Sequence, residues 1–284
     1  MMPIELDAIG VGCRRCASSF LHKCLNNHPD IVKPQRGVHY FSENYHLGKA
    51  WYAEQMPKNV GQKVLIESSV SYSYPEYSEL AAQRVFEQFP NSKIFVSLRN
   101  PIERAFSDYL RSIRNLEIPS NLKFEQAIND YPEFLERGRY KKLLAPYYER
   151  YSNNCIYILL FDDLVNEPVE SLRSFYKFIG VTEDVGQISE NISRESSGNL
   201  RYPWFQASLL GAKNILDSMA NIFGMEKIWL GIKAKAMRPY QVIRNMNIRK
   251  MSISVSTREK LYEYYKEDIT WVSDKTGRCL KEWK

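Results

Sequence analysis

The sequence predicts an α/β fold in which helices flank a central parallel β-sheet and the C-terminal part is helical. Short apolar segments alternate with segments of helical periodicity through the first two-thirds of the chain, which is the pattern of parallel α/β sheets. Two of these segments, KIFVSL at 93–98 and CIYILLF at 155–161, are nearly continuous apolar runs, as expected of strands covered on both faces. From about Trp204 the pattern is mostly helical.

The boundaries of the predicted elements follow from this alternation. Strands are predicted at Leu6–Val11, Lys63–Ile66, Lys93–Leu98 and Cys155–Phe161. Helices are predicted at Ser18–Asn27, Glu76–Gln88, Ile102–Asn115, Lys142–Ser152 and Glu170–Ile179. The chain has no internal repeat and no low-complexity linker. We therefore expect residues 1–284 to form a single domain, with a variable, basic, helical segment at about 205–257.

The composition excludes several classes of protein. Hydrophobic residues make up 44% of the 284 residues and aromatic residues 13%, which indicates a globular rather than a disordered chain. The five cysteines are scattered and odd in number, which argues against a disulfide framework. The first residues lack the basic and apolar regions of a signal peptide, and no apolar run is long enough to span a membrane. We therefore expect a cytoplasmic protein in a reducing environment.

Positive charge is concentrated in one segment. The net charge is +6, a mild excess that favours anionic partners. Residues 227–258 contain no Asp or Glu but hold Lys227, Lys233, Lys235, Arg238, Arg244, Arg249, Lys250 and Arg258. This segment is either a solvated helix face or a surface for an acidic acceptor or for lipid headgroups at a membrane. Nothing in the chain points to nucleic acid as a partner.

A turn with unusual chemistry, GCRRCASS at residues 12–19, follows the first predicted strand. In parallel sheets, ligands bind beyond the carboxyl ends of the strands, and the N–H groups that begin a helix bind phosphate. Ser18 and Ser19 add hydroxyl donors and Arg15 adds charge. The turn could hold a phosphate group as a P-loop does, although it lacks the P-loop sequence. The alternative is a plain capped helix that follows a buried strand.

The segment SLRNPIERAFSDYLRSIR, residues 97–114, follows another predicted strand. Arg99 stands directly after the strand, and Asn100-Pro101 starts a helix with proline at its first position. Arg99 is therefore placed to meet a second phosphate, with Ser107 about two turns further along. The alternative is a surface arginine paired with Glu103.

Together the two segments resemble the sulfotransferases that use 3′-phosphoadenosine 5′-phosphosulfate (PAPS), and above all the carbohydrate and heparan-sulfate-type branch with its bacterial relatives. The family's opening motif, G-x-x-[KR]-x-G-T-[TS]-x-L followed by H-P, is matched from Gly12 to Pro29. Its 3′-phosphate motif, L-R-[ND]-P-x-E-R-x-x-S-x-Y, is present in full from Leu98 to Tyr109. Further matches in order are VHYFS at 38–42, WYAEQMP at 51–57, ESSVSY at 67–72, the stretch 161–181 and the stretch 258–283.

The resemblance implies a P-loop-like α/β domain that transfers a sulfuryl group from PAPS to an acceptor hydroxyl, without a metal. It assigns the 5′-phosphosulfate to Arg14, Arg15, Cys16, Ala17, Ser18 and Ser19, and the 3′-phosphate to Arg99 and Ser107. The segment SSGNLR at 196–201 resembles the family's late loop over the nucleotide, which adds Gly198 and Arg201. By the same analogy the acceptor is a sugar, either an acidic glycan or a lipid-linked sugar.

Some positions depart from the family pattern. The usual lysine of the first motif is Arg15, whose role would be electrostatic because arginine hardly gives up a proton. The motif's glycine is Ala17 and its threonine is Ser18. In the heparan-sulfate-type branch, a glutamate that serves as base commonly stands where this chain has Gly37, and a lysine stands where it has Ser68.

These departures leave the general base open. His39 is the nearest candidate, because imidazole titrates near neutrality, and a purely structural role for His39 is the alternative. Glu43 and Glu67 are weaker candidates. A non-catalytic nucleotide-binding relative is a second interpretation of the whole chain. A thiol oxidoreductase is a third, because Cys13-x-x-Cys16 lies beside two arginines and a helix start, which favour thiolate.

Overall fold

The computed structural model describes residues 4–58, 61, 63–185, 198–200, 202 and 248–284. Its central sheet has five parallel strands in the order β2-β3-β1-β4-β5. These strands are β1 (Ala8–Gly10), β2 (Ile31–Val32), β3 (Val64–Ser68), β4 (Lys93–Leu98) and β5 (Ile156–Leu160). A separate antiparallel pair consists of β6 (Gly198–Leu200) and β7 (Ile248–Lys250). The predicted α/β class with a central parallel sheet is confirmed.

Helices connect and flank the strands. Along the described part of the chain they are α1 (Ser18–Asn27), α2 (Gly48–Gln55), α3 (Ser78–Gln88), α4 (Pro101–Arg114), α5 (Phe124–Asp130), α6 (Glu133–Glu136), α7 (Tyr140–Arg150), α8 (Phe161–Asn166), α9 (Pro168–Ile179) and α10 (Val255–Thr276). The predicted helical character of the C-terminal part is confirmed by α10. No helix in the described ranges is long and apolar enough to cross a membrane.

Apolar side chains from the helices cover the sheet. Leu25 of α1 and Phe175 of α9 are almost fully buried in one cluster with Ile66 and Phe95 of the strands. Each such buried side chain contributes roughly 1.5–3 kcal/mol to folding. This packing fixes the position of α1, whose first turn follows the end of β1.

The chain divides into two compact units. The first comprises Met1–Ala105, Tyr131–Ile192 and Ser256–Lys284, and it contains the parallel sheet. The second comprises Phe106–Asp130 and Ser193–Val255. The division falls within α4. That the whole chain forms a single domain stays a prediction.

The strand order places the end of β1 between two other strand ends. Gly10, the last residue of β1, lies opposite Ser68 of β3 and Phe95 of β4. The Ser69 amide donates to the Gly10 carbonyl at 3.0 Å, which continues the pairing past the strands. Residues that follow β1, β3 and β4 therefore meet at one edge of the sheet, where parallel α/β folds bind ligands.

Candidate functional site

The β1–α1 turn, residues 12–19, is fixed to the end of β4. The Cys13 amide donates to the Ser97 carbonyl at 3.0 Å, and the Ser97 amide donates to the Gly12 carbonyl at the same distance. Gly12 has a φ of +133°, and a Cβ there would collide with Ser73 Oγ, so only glycine fits. The turn thus begins from a rigid anchor on the sheet.

The other end of the turn presents the start of α1. Ala17 precedes the helix with a φ of 65° and a ψ of 19°, and no side chain caps the helix start. Arg15 also has a positive φ, of 71°. As at the start of any α-helix, the first N–H groups of α1 have no partner inside the helix. Such N–H groups are suited to bind a phosphate or sulfate group.

Arg99 lies directly after β4 and is largely buried. Its guanidinium stacks 4.5 Å from the ring centroid of Phe161 and lies 4.0 Å from Glu103 Oε2. Glu103 also pairs with Arg258 of α10. Burial lowers the pKa of Arg99, and the nearby cation of Arg15 acts in the same direction. Arg99 therefore lies at the strand end, as predicted. It also pairs with Glu103, as the alternative interpretation expected.

Tyr140, which the sequence did not single out, connects the two strand ends. This buried residue begins α7, and its hydroxyl donates to the Arg99 carbonyl at 2.7 Å. The same hydroxyl lies 3.9 Å from Cys16 Sγ in the β1–α1 turn. The hydroxyl of one residue thus fixes the spacing between the turn and the Arg99 backbone.

The two cysteines of the turn are buried and free. Burial raises the pKa of Cys13 to about 12 and that of Cys16 to about 11. The expectation that neighbouring arginines favour thiolate here is wrong, because loss of solvent outweighs the Arg104 and Arg99 charges that act the other way. Cys13 instead contacts Ser73 Oγ at 3.5 Å. The thiol oxidoreductase interpretation loses its chemical basis.

A cavity of about 390 Å³ opens beside the helix start. Its wall includes five residues with cationic or imidazole side chains and four serines, namely His22, Lys23, Lys33, Arg36, His39, Ser18, Ser19, Ser68 and Ser97. The wall, as the described residues form it, contains no Asp or Glu. Arg14, Arg15, Cys16 and Ala17 are not part of it. The site thus has a turn suited to bind an anion and, next to it, a cavity whose wall holds several cationic or imidazole side chains.

Lys33 and His22 form a contact in the cavity wall that the sequence did not reveal. Lys33 Nζ lies 2.8 Å from His22 Nε2 and donates to the Pro34 carbonyl at 3.1 Å. Burial lowers the pKa of Lys33 to about 8. Burial also lowers the pKa of His22, and Lys33 adds to that effect. A half-buried ammonium group that contacts no carboxylate among the described residues suits an incoming anion.

Glu67 of β3 and Ser69, directly after that strand, hold the backbone of the His39 segment. The His39 amide donates to Ser69 Oγ at 2.8 Å, and Ser69 donates to Glu67 Oε1 at 2.5 Å. The Val38 amide donates to the same carboxylate oxygen at 3.3 Å. Burial raises the pKa of Glu67 to about 7. Glu67 is fully buried behind the cavity, where it orients the His39 segment.

Three of the predicted nucleotide-binding residues belong to the second unit. Ser107 lies on α4, and Gly198 begins β6, where it pairs with Lys250 of β7. Arg201 lies outside the described residues, as do residues 227–247 of the basic segment. Within the described ranges, no group of three or more His, Cys, Asp or Glu side chains could hold a metal ion.

Comparison with known proteins identifies the fold and related sequences. The family model of the sulfotransferase domain matches residues 6–219. Heparan sulfate glucosamine 3-O-sulfotransferase 5 of Mus musculus is 28% identical over 192 residues, which cover 63% of this chain and 55% of that protein. Heparan sulfate glucosamine 3-O-sulfotransferase 3B1 of Mus musculus is 28% identical over 182 residues, 62% of this chain and 46% of that protein. The matched stretch thus spans about half the length of these relatives.

A solved structure supports the fold. A sulfotransferase from Alicyclobacillus acidocaldarius superposes with a TM-score of 0.70 at 20% identity, covering 99% of both chains. This likeness confirms the expected P-loop-like sulfotransferase fold.

Proposed function

Because the chain belongs to the sulfotransferase domain family, we propose that it transfers the sulfuryl group of PAPS to a hydroxyl group of an acceptor. The observation that carries the proposal is that two strand ends with cationic residues lie side by side. Cys13, in the turn that contains Arg15, donates its amide to the carbonyl of Ser97 near the end of β4, which Arg99 directly follows. PAPS carries two anionic groups, a 5′-phosphosulfate and a 3′-phosphate, which these two strand ends would bind.

In the proposed reaction the acceptor oxygen attacks the sulfur atom, and the bond from sulfur to the 5′-phosphate oxygen breaks. The acceptor proton passes to His39, and the products are a sulfate ester and adenosine 3′,5′-bisphosphate. As in phosphoryl transfer, catalysis depends on alignment and on stabilising the charge of the leaving phosphate. Arg15 supplies that stabilisation as a permanent cation.

The remaining contacts to the nucleotide are proposed from the resemblance of the sequence motifs to those of the family. Backbone N–H groups of Arg14, Cys16 and Ala17 and the hydroxyls of Ser18 and Ser19 would hold the phosphosulfate. Arg99 and Ser107 would hold the 3′-phosphate. Gly198 and Arg201 would close over the nucleotide. Ser18 and Ser19 also line the cavity, so the sulfuryl group would reach the acceptor there.

We further propose an acidic glycan as the acceptor. The two relatives above act, by their names, on heparan sulfate glucosamine. The cavity wall agrees with an anionic ligand, because it includes Lys33 and Arg36 and contains no Asp or Glu among the described residues. A lipid-linked sugar, contact of residues 227–258 with a membrane and a cytoplasmic location stay predictions.

The test is transfer of label from PAPS with a radioactive sulfuryl group to glucosamine-containing oligosaccharides. The proposal expects labelled oligosaccharide and an equal amount of adenosine 3′,5′-bisphosphate. An Arg173→Ala variant, at an exposed position of α9, serves as control and should match the wild type. If calorimetry detects nucleotide binding but neither sugars nor simple alcohols accept label, the non-catalytic nucleotide-binding interpretation takes the place of the enzyme.

A further inference from the structure

The side chain of His39 takes part in a short chain of polar contacts. His39 Nδ1 lies 2.6 Å from Ser71 Oγ, and Ser71 Oγ lies 2.6 Å from Ser42 Oγ. Ser42 Oγ in turn donates to the carbonyl oxygen of His39 itself, at 3.2 Å. Ser71 is fully buried and Ser42 nearly so. The three contacts form a closed path that starts and ends at one residue.

Counting protons gives this path a direction. Each serine hydroxyl has one proton to donate, and a carbonyl can only accept. If Ser42 donates to the His39 carbonyl, Ser71 must donate to Ser42, and His39 Nδ1 must donate to Ser71. If the direction is reversed, Ser42 donates its proton to Ser71, and no proton is left for the contact between Ser42 and the His39 carbonyl. Only the first arrangement gives all three contacts a proton.

Glu43 supports the same direction. Its carboxylate oxygen Oε2 lies 4.0 Å from His39 Nδ1, where a negative charge favours a proton on that nitrogen. The other nitrogen, Nε2, has no hydrogen-bond partner among the described residues. The His39 ring lines the cavity, and a Cβ at Gly37 would lie 3.1 Å from Nε2. Nε2 thus faces Gly37, and the absence of a side chain at Gly37 leaves room for a ligand beside Nε2.

We infer that Ser42 and Ser71 are positioning residues that hold neutral His39 protonated at Nδ1, so that the lone pair of Nε2 accepts the proton of the acceptor hydroxyl. The role of Nε2 in proton transfer rests on the proposed function. When Nε2 takes the proton, the ring becomes a cation with one N–H donating to Ser71 and with Glu43 nearby. The hydroxyl path needs no rearrangement in that step. The proposed base, His39, thus lies beside Gly37, the position at which the heparan-sulfate-type branch commonly has a glutamate.

The tautomer can be measured without substrate by proton–nitrogen correlation spectra of the imidazole rings, at alkaline pH where imidazole is neutral. The chain has four histidines, and a His39→Gln variant identifies the signals of His39. We expect the wild type to be protonated at Nδ1 and unprotonated at Nε2. In Ser71→Ala, where Nδ1 loses its acceptor, the proton should be shared between both nitrogens. A wild-type ring protonated at Nε2 overturns the inference whether or not the protein transfers sulfate.

Turnover gives the second readout. His39→Ala should lower kcat by about 100-fold or more, and Ser71→Ala by roughly two- to tenfold, with unchanged nucleotide affinity. The control is Ser92→Ala, which removes another buried serine hydroxyl, one that bonds the Leu6 carbonyl. It should keep both the His39 tautomer and kcat.

The pH profile of kcat must be compared between wild type and Ser71→Ala. The charged or titratable groups around the cavity are His22, Lys23, Lys33, Arg36, Glu43 and Glu67. They are common to both proteins, so a difference between the two profiles reports the lost serine contact. An Nδ1-protonated ring together with full kcat in His39→Ala would also overturn the inference, because the nitrogen would then be oriented without being used. Absence of any transfer by the wild type would instead reject the proposed function and leave the tautomer result standing.

Discussion

Gly37 and His39 approach so closely that a Cβ atom at position 37 would lie 3.1 Å from His39 Nε2. The same Cβ would lie 3.0 Å from the Ser68 carbonyl and 3.1 Å from Ser69 Oγ. These distances are shorter than ordinary van der Waals contacts of carbon with nitrogen or oxygen. A side chain at position 37 would therefore require the His39 ring or the Ser68–Ser69 segment to shift by a few tenths of an ångström.

Gly37→Ala should consequently impair catalysis more than binding. The ring of His39 or the Ser68–Ser69 backbone must move to admit the methyl group, at a cost of about 1–3 kcal/mol in stability. We expect kcat to fall by at least about tenfold, because a small displacement of a proton acceptor is costly, while nucleotide affinity stays within about twofold. Steady-state kinetics with calorimetry checks this. Full turnover in Gly37→Ala would show that the ring orientation does not matter.

Arg99→Ala and Ser107→Ala should remove selectivity for the 3′-phosphate. Loss of a charge-assisted contact costs about 1.5–3 kcal/mol, but only for ligands that carry that phosphate. Calorimetry with adenosine 3′,5′-bisphosphate and with adenosine 5′-phosphosulfate measures the difference. Arg173→Ala, which removes an exposed arginine, is the control and should change neither affinity. Equal losses for both ligands would contradict the assignment of Arg99 and Ser107.

Ala17→Gly should stabilise the protein. Ala17 has a φ of 65°, a conformation that costs an alanine about 1 kcal/mol and a glycine almost nothing. Part of this gain is offset because glycine has more freedom in the unfolded chain, so we expect a net gain of roughly 0.5 kcal/mol. Ala53→Gly, within helix α2, is the control and should destabilise by about 1 kcal/mol. Urea unfolding measures both, and destabilisation by Ala17→Gly would contradict the left-handed backbone at position 17.

The strongest sequence patterns predicted their elements well. The apolar run of β4, Lys93–Leu98, and helix α1, Ser18–Asn27, have the predicted bounds. The predicted strand Cys155–Phe161 ends at Leu160, because Phe161 already begins helix α8. Strand β2, Ile31–Val32, was not predicted, since two residues are too few to show a period.

The site was predictable only where its residues are close in sequence. The β1–α1 turn and the segment after β4 carry local motifs, and the strand order brings both to one edge of the sheet. The contacts of Tyr140 with Arg99, of Lys33 with His22 and of Ser71 with His39 depend on how separate elements pack. The burial that raises the pKa of Cys13 is likewise a property of the folded chain, so its local sequence suggested the opposite.

Glu67 should make stability depend on pH. Burial raises its pKa to about 7, above the ordinary 4.5 that holds in the unfolded chain, so the folded state binds a proton more tightly. This contribution is fully present below about pH 4.5 and is lost as the pH rises through about 7. From pH 5 to pH 8 the wild type should lose about 2–3 kcal/mol of unfolding free energy relative to Glu67→Gln.

Urea unfolding of wild type and Glu67→Gln at both pH values checks this difference. Glu87→Gln, at an exposed position of α3, controls for the removal of a carboxylate. Parallel pH profiles of the wild type and Glu67→Gln would contradict a buried carboxyl group with a raised pKa.

The central claim is that the β1–α1 turn holds the reacting phosphosulfate, and turnover of Arg15→Ala against its nucleotide affinity tests it most directly. Arg15 is proposed to act on charge that grows on the leaving phosphate, so kcat should fall by about 100-fold or more while affinity for adenosine 3′,5′-bisphosphate falls less than about tenfold. Arg15→Lys should keep part of the activity, because the matching family motif has lysine or arginine there. Wild-type turnover in Arg15→Ala would show that the sulfuryl group reacts somewhere else.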